Sequence, residues 1–522
     1  MTHPKLVAAM KEPGFYPGRP NAVVLIQTHI SYIFIAGDDV YKVKKDVDFG
    51  FLDFTSLDKR RHYCLEELRL NRRLAPHDYL DVVEISENAD GSIVLGPGDH
   101  VIDYAVWMRR FPPEKMLEKM IAAPDFDPAI MDALAVKLAD FHEKAATGGL
   151  IDAMGRLDTI HRNHDDNFSQ TEKYVSITIP EYQYRLVKGY VHRFLEEKGK
   201  FLEDRVVAHR IRDCHGDLHL EHIVVGDEIA IFDCIEFNER FRYIDVAAEV
   251  AFLAMDIDFN GYSSYADRFV RTYTEYTGDT GIPVLLNFYR CYYAYVRGKV
   301  ASLRLDDPEI VQEEHESAKR MAGRYFDLAY TYAARFERPT LILMAGLMGT
   351  GKSVVAKEIA PRLGARIIQT DLLRKTLLGL LPTERHHEAF GEGIYHKDIS
   401  EKTYEQAYRQ ALTLLNAGQS VIIDASYKRK AEREKAIRMA REAGADCFLI
   451  ECICPDDVVK KRLAGRKTVT GEASDGRWDI YFAQKGDFDP ITEVPGKIHI
   501  TVNTSKPPDR CMQEIIEATR SR

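Results

Sequence analysis

The sequence is short of cysteine, has little tryptophan and contains no long apolar run. Eight cysteines are spread over 522 residues, too thin a distribution for the disulfide frameworks of small secreted domains. The nearest two, Cys452 and Cys454, have one residue between them inside an apolar stretch, which is not a zinc spacing. Reduced, mostly buried thiols in a cytoplasmic protein are expected. No run of about 18 apolar residues occurs, so nothing is expected to span a membrane. The opening residues MTHPKLVAAMKEPGFYPG hold no apolar stretch of about 7–15 residues, so no secretory signal is expected. An excess of positive charge is missing as well: 71 Lys and Arg against 81 Asp and Glu leave −10. A chain of that sign is repelled by nucleic-acid phosphate and anionic lipid, which excludes a general polyanion binder and leaves room for local basic clefts. The 33 glycines and 21 prolines follow no short period, which excludes a collagen-like chain.

What is present is ample apolar side chain, 45% of residues, with 29% charged, so a wholly disordered chain is excluded. At roughly 100–200 residues per domain the length predicts two to four domains. The clearest boundary falls in ARFERP, between a long helical stretch from about Pro308 to Arg335 and the buried-strand sequence Thr340–Ala345, with Pro339 breaking the helix. Two domains are expected, residues 1–335 and 336–522.

In the first, residues 23–45 alternate like strands, with Gly37-Asp38-Asp39 as a turn between two runs. A charged helix is expected over about Leu57–Leu74, then strands near Ser92–Leu95 and Tyr104–Phe111. Mostly helix follows from Asp127, interrupted by short strands at Ile223–Val225 and Ile229–Phe232. Sheet first and helices later predicts an α+β unit. The second half alternates strand and helix, which predicts an α/β domain around a parallel sheet.

Gly346-Leu-Met-Gly349-Thr350-Gly351-Lys352-Ser353 fits G-x-x-x-x-G-K-[ST] between an apolar strand and a helix. Glycines let backbone N–H groups curl around phosphate oxygens, and the helix N-terminus adds partial positive charge there. Lys352 reaches β- and γ-phosphates and the Ser353 hydroxyl ligates Mg²⁺ in such a loop. ATP and Mg²⁺ are therefore the expected cofactors. Val421–Asp424 is an apolar strand ending in a carboxylate, as a second metal-side ligand requires. Ala425 and Ser426 follow, where hydrolytic motors usually carry a water-activating glutamate; this favours transfer to a bound substrate. Asp371 ends the second strand of this half, Arg366–Asp371, and is able to take a proton from an acceptor hydroxyl or to cap a helix, with Arg374 one turn later to hold an anion. Arg462 and Arg466 lie four apart on one helical face, and Arg433 is a weaker candidate for the same cleft.

Residues 340–505 resemble the P-loop kinases grouped with gluconate kinase, polynucleotide kinase and zeta toxin. The likeness rests on the phosphate loop, Asp371 and Arg374, Asp424, and the lid-like arginines. It implies phosphoryl transfer to a small hydroxyl acceptor, with Asp371 as base and Arg462 and Arg466 closing over the triphosphate.

A second constellation precedes it. Cys214-His215-Gly216-Asp217-Leu-His219-Leu-Glu221-His222 leads into a short strand, and Phe232-Asp233-Cys-Ile-Glu236 follows one hairpin later. Lys42 and Lys44 share a strand face, and Glu67 lies on the next helix. With Leu138-Ala-Asp-Phe-His142 and Met108-Arg-Arg-Phe111, these pieces are similar to aminoglycoside phosphotransferases and other protein-kinase-like small-molecule kinases, over residues 20–300. The resemblance implies Asp217 as base, Asp233 on Mg²⁺, and Lys44 (or Lys42) on phosphates, paired with Glu67. The family loop usually carries Asn, as second metal ligand, where this chain has His222. Histidine ligates metals through a neutral nitrogen, while Mg²⁺ prefers oxygen. A phosphate-covering G-x-G-x-x-G is also absent, with Thr28-His-Ile-Ser31 in its place. His215 and His219 are expected to hydrogen-bond within their loop, and Phe288–Tyr295 to be helix core.

The reading is an ATP-dependent phosphotransferase acting on a small hydroxyl-bearing acceptor through its P-loop domain, with a second kinase-like domain in front. Two alternatives stay open: a non-catalytic N-terminal ligand-binding module that regulates its neighbour, or an ATPase switch without acceptor.

Overall fold

The alternating stretch at the start folds as three antiparallel strands. A computed structural model describes residues 4–307, 310–381, 393–465 and 478–520. In it β1 (Val23–Gln27) and β2 (Ser31–Ala36) are parted at Thr28, whose hydroxyl accepts the Ser31 N–H at 3.0 Å. The expected Gly37–Asp39 turn then leads to β3 (Asp39–Lys44). With β4 (Tyr79–Glu87), β5 (Ile93–Leu95) and β6 (His100–Arg109) these form a six-stranded antiparallel sheet, ordered β1-β2-β3-β6-β4-β5. β4 is a strand that the sequence reading passes over.

Both faces of this sheet are covered. Phe34, Tyr41, Val43, Ile85 and Ala105 pack with Leu6, Met10 and Tyr16 on one side. Val40, Tyr79, Val106 and Met108 pack with Cys64 and Leu68 on the other. The last two belong to helix Leu57–Asn71, which starts where Ser56 caps the Lys59 N–H. The helical part follows, including Ala129–Lys144, Val246–Phe259 and Ile282–Leu303. Helix Val246–Phe259 is buried from Val246 through Ile257, and Phe288, Tyr289, Tyr293 and Tyr295 are buried in the third. Two small ladders complete this part: β7 (Ile211–Asp213) with β10 (Tyr243–Asp245), and the hairpin β8 (Ile223–Val225) with β9 (Ile229–Ile231).

The chain divides into two compact units, Met1–Pro180 with Lys188–Ala329, and Glu181–Val187 with Tyr330–Arg522. The division falls inside helix Gln312–Ala334, before Pro339. In unit 2, β11 (Thr340–Ala345), β12 (Ala365–Gln369), β13 (Ser420–Asp424), β14 (Asp446–Ile453) and β15 (His499–Asn503) form a parallel sheet ordered β12-β13-β11-β14-β15. β11 is buried at all six positions, as a central parallel strand requires. Leu341, Leu343, Val421, Ile423 and Leu449 pack against Tyr404, Ala407, Tyr408 and Ala411 of helix Lys397–Asn416.

Arg433 of helix Lys430–Glu442 is no part of a phosphate cleft. Its side chain is fully buried and pairs with Glu493, and it donates to the carbonyls of Tyr427 (2.9 Å) and Pro490 (3.2 Å). Removing one partner of a buried pair strands the other. Arg433→Ala is expected to cost unit 2 about 3–5 kcal/mol, read as a lower melting temperature of that unit with unit 1 unchanged.

All eight cysteines are unpaired, and six of them are buried. Among the described residues no helix is long and apolar enough to cross a membrane.

Candidate functional site

In unit 2 the strand order reverses at β11, which leaves a crevice at its carboxyl end. The loop that leaves β11 needs its glycines. Gly346, Gly349 and Gly351 have φ of 131°, 75° and 88°, where a Cβ is strained. A Cβ on Gly346 would stand 2.5 Å from the Cys452 carbonyl oxygen, and one on Gly349 would stand 2.9 Å from Val459 Cγ1. The buried Thr350 donates its hydroxyl to the Leu347 carbonyl at 2.8 Å. Helix Lys352–Leu363 starts at once behind Gly351. Lys352 Nζ bends over the loop and donates to the Leu347 carbonyl at 2.9 Å.

Asp424, at the end of β13, is buried and hydrogen-bonded to Ser353 and Gln369. Burial raises its carboxyl pKa, the Ser353 bond and the Lys352 charge offset part of the rise, and Asp371 adds to it. A buried carboxylate beside a hydroxyl is an oxygen donor set suited to Mg²⁺. Asp371 lies in the first turn of helix Thr370–Leu377 and pairs with Arg374 at 2.7 Å. Arg374 in turn stacks on Tyr395 at 4.7 Å. Arg462 is held beside the loop: its guanidinium donates to Thr504 Oγ1 (3.1 Å) and to the Thr504 carbonyl (2.6 Å). Arg466 lies outside the described residues.

In unit 1 the residues of the second constellation come together from four segments. Lys42 Nζ lies 2.9 Å from Glu67 and 2.5 Å from Asp233. Lys44 is held by Glu67 at 2.7 Å and by Glu236. The two lysines share a face, as their spacing requires, but not a role. The Lys44 side chain is 0% exposed, whereas that of Lys42 is 11% exposed. Lys44, the residue favoured for phosphate in the sequence reading, is thus enclosed by Glu67 and Glu236, and Lys42 is the one of the two with access to solvent. Asp233 has φ of 62° and donates its N–H to the Tyr79 hydroxyl at 3.2 Å.

Asp217 stands 3.6 Å from His219 and 3.7 Å from His222. Burial pushes its carboxyl up, but the His219 hydrogen bond and the charges of His219, His222 and Arg297 outweigh that and hold it well below the usual range. His215 bonds inside the loop, donating from Nε2 to the Phe232 carbonyl at 2.9 Å and accepting the Asp217 N–H at 3.3 Å. A cavity of about 340 Å³ opens next to His219, lined by Glu118, Glu221, Asp256, Arg297, Phe259 and Tyr325.

Glu249, which the sequence reading misses, holds the loop in place. It is 0% exposed, and one of its oxygens accepts the N–H groups of both His215 (2.8 Å) and Gly216 (2.7 Å). Its other oxygen accepts from His142 Nε2 at 2.8 Å, and Tyr273 supplies a hydroxyl to His142 Nδ1 at 2.7 Å. Glu249 is the one charged residue in Val246–Met255, and a lone carboxylate in so apolar a helix is a signal that could have found it. Glu249→Ala is expected to destabilise unit 1 by about 1–3 kcal/mol for each amide left without an acceptor. Denaturant unfolding checks this, and Glu249→Gln should recover more than half of the loss.

The phosphotransferase enzyme family matches residues 37–282, and a family described as an AAA domain matches residues 341–490. Uncharacterised proteins of Mycobacterium tuberculosis and Mycobacterium bovis are 30% identical to the chain over 464 residues, covering 89% of it and 90% of their own length. Among solved structures, a gluconokinase from Sinorhizobium meliloti is similar over 35% of this chain and 92% of its own, with 19% identity and a TM-score of 0.25. A choline/ethanolamine kinase family protein from Mesorhizobium loti is similar over 63% and 99%, with 13% identity and a TM-score of 0.36. The chain belongs to one family with the two mycobacterial proteins, and it joins a phosphotransferase-family domain to a P-loop kinase domain, a phosphotransferase by class.

Proposed function

We propose that unit 2 transfers the γ-phosphoryl group of ATP to a hydroxyl of a small acceptor. The observation that carries this reading is the meeting of Lys352, Ser353, Asp424 and Asp371 at the carboxyl end of β11, beside a loop whose glycine backbone leaves room for phosphate. The loop amides and Lys352 bind and orient the triphosphate and stabilise charge on the transferring group. Ser353 and Asp424 would hold Mg²⁺, which neutralises phosphate charge when bound. Asp371 takes the proton from the acceptor hydroxyl, while Arg374, 2.7 Å from it, holds its carboxylate in place. Arg462, beside the loop, completes the positive wall. Ala425 and Ser426 after Asp424 supply no carboxylate to activate water, which favours transfer over hydrolysis.

Unit 1 is read as a second phosphotransferase site, with Asp217 as base, Lys42 on phosphate and the cavity beside His219 as the acceptor space. Its mixture of carboxylates, guanidinium and aromatic rings suits a small polar acceptor that carries charge. His222 in place of an oxygen ligand favours a second reading, a ligand-binding module that regulates unit 2.

The test uses the full chain with γ-labelled ATP and a panel of sugars, amino alcohols, aminoglycosides and nucleosides. Labelled product should depend on an acceptor and on Lys352. Rapid hydrolysis that ignores every acceptor would replace transfer with the ATPase switch.

A further inference from the structure

The loop after β7 gathers more imidazole than a magnesium site calls for. The rings of His219 and His222 have centroids 3.9 Å apart. Ligand-capable atoms of Asp217, His219 and His222 all lie within 4.8 Å of one another. His222 Nδ1 is 2.9 Å from the Asp217 carbonyl. A carbonyl only accepts, so Nδ1 carries the hydrogen and Nε2 keeps its lone pair. That Nε2 faces Asp233 Oδ2 at 3.7 Å, while Lys42 occupies the other Asp233 oxygen. Donor atoms at the bond lengths of a tetrahedral zinc ion stand about 3.4 Å apart. The separations of His219 Nε2 from Asp217 Oδ2 (3.6 Å) and of His222 Nε2 from Asp233 Oδ2 (3.7 Å) need little closure.

We propose that His222, Asp217 and Asp233, with His219 beside them, bind a transition-metal dication of the zinc or cobalt class in unit 1. Two imidazoles with two carboxylates match the donor preference of such ions, whereas Mg²⁺ takes oxygen. The hydrogen bond from Nδ1 to the Asp217 carbonyl fixes the ring and its tautomer, as ligating histidines require. The other grouping of donor type among the described residues, His142, Cys214 and Glu249, is already engaged: both His142 nitrogens and both Glu249 oxygens are bonded within the protein. The inference deepens the reading of unit 1 as a phosphotransferase site and rests on it: the dication takes the place at Asp233 and His222 that the resemblance gives to Mg²⁺, and Asp217 faces the imidazoles through Oδ2, which leaves Oδ1 for the proton of the acceptor.

The experiment is a Co²⁺ titration of the full chain carrying Ser353→Ala and Asp424→Asn, which keep unit 2 from competing. One Co²⁺ per chain should bind with visible d–d bands and without the near-ultraviolet band of a thiolate ligand. Zn²⁺ should displace it and millimolar Mg²⁺ should not. His222→Asn should weaken binding by more than about 100-fold, beyond the cost of outer-shell changes, with His219→Gln following in the same direction. Bands unchanged in both variants, a thiolate band, or displacement by Mg²⁺ as readily as by Zn²⁺ would overturn the proposal. A Co²⁺ site in a unit 1 that transfers no phosphate would uphold the metal and remove the kinase reading; Asp217-dependent transfer with Mg²⁺ and no Co²⁺ site would do the reverse.

Discussion

Alanine at Lys352 is expected to lower acceptor-dependent ATP turnover by unit 2 at least about a thousandfold, the upper range for removing one preorganised charge-stabilising donor. The ammonium lies 2.9 Å from the Leu347 carbonyl, a contact a flexible side chain can exchange for phosphate oxygens. Nothing else in the loop replaces its charge, because the other donors are backbone N–H groups and the neutral hydroxyls of Thr350 and Ser353. Those amides survive the substitution, so nucleotide affinity should fall far less than kcat. Turnover measured alongside nucleotide binding separates the two. Equal losses in both would mean that Lys352 only binds, and undiminished turnover would refute the assignment.

Asparagine at Asp217 should remove the product that unit 1 makes, by about 10²–10⁴-fold, the usual contribution of a positioned general base. The carboxylate is 35% exposed and held ionised by His219 and His222, so it is reachable and ready to accept a proton. The change keeps shape and volume, and the scaffold behind the loop, Glu249 and the Gly216 turn, does not depend on it. The measurement is the labelled product that remains in a Lys352→Ala background, with and without Asp217→Asn. Unit 2 is silent there, so any remaining product reports unit 1. If the background leaves no product, unit 1 is the ligand-binding module of the second reading.

How far the site was legible in the sequence follows from how local its chemistry is. The phosphate loop is built by eight consecutive residues, 346–353, and its flanking strand and helix carry period and composition of their own. It could be read without coordinates. The β4 strand could not, because register shifts at Tyr79/Asp81 and Ile85/Ser86 interrupt the alternation that marks a strand. β7 and β10 are three residues each and exist through one another, 30 residues apart at Tyr243 and Asp213. The two lysines of β3 show the limit of periodicity. Spacing places Lys42 and Lys44 on one face, but depth is decided by Glu236, 192 residues beyond Lys44. The same holds for Arg433, whose helical position says nothing of the carbonyls of Tyr427 and Pro490 that enclose it.

The crowding around Gly346 and Gly349 has a mechanical consequence. The phosphate loop is wedged between the end of β14, at the Cys452 carbonyl, and the helix Asp456–Gly465, at Val459 and Leu463. That helix directly continues β14 and carries Arg462, so loop, strand end and helix share one short linkage with no slack between them. A shift of the helix is therefore transmitted to the cradle as a change in its width, and occupancy of the cradle fixes where the helix can rest.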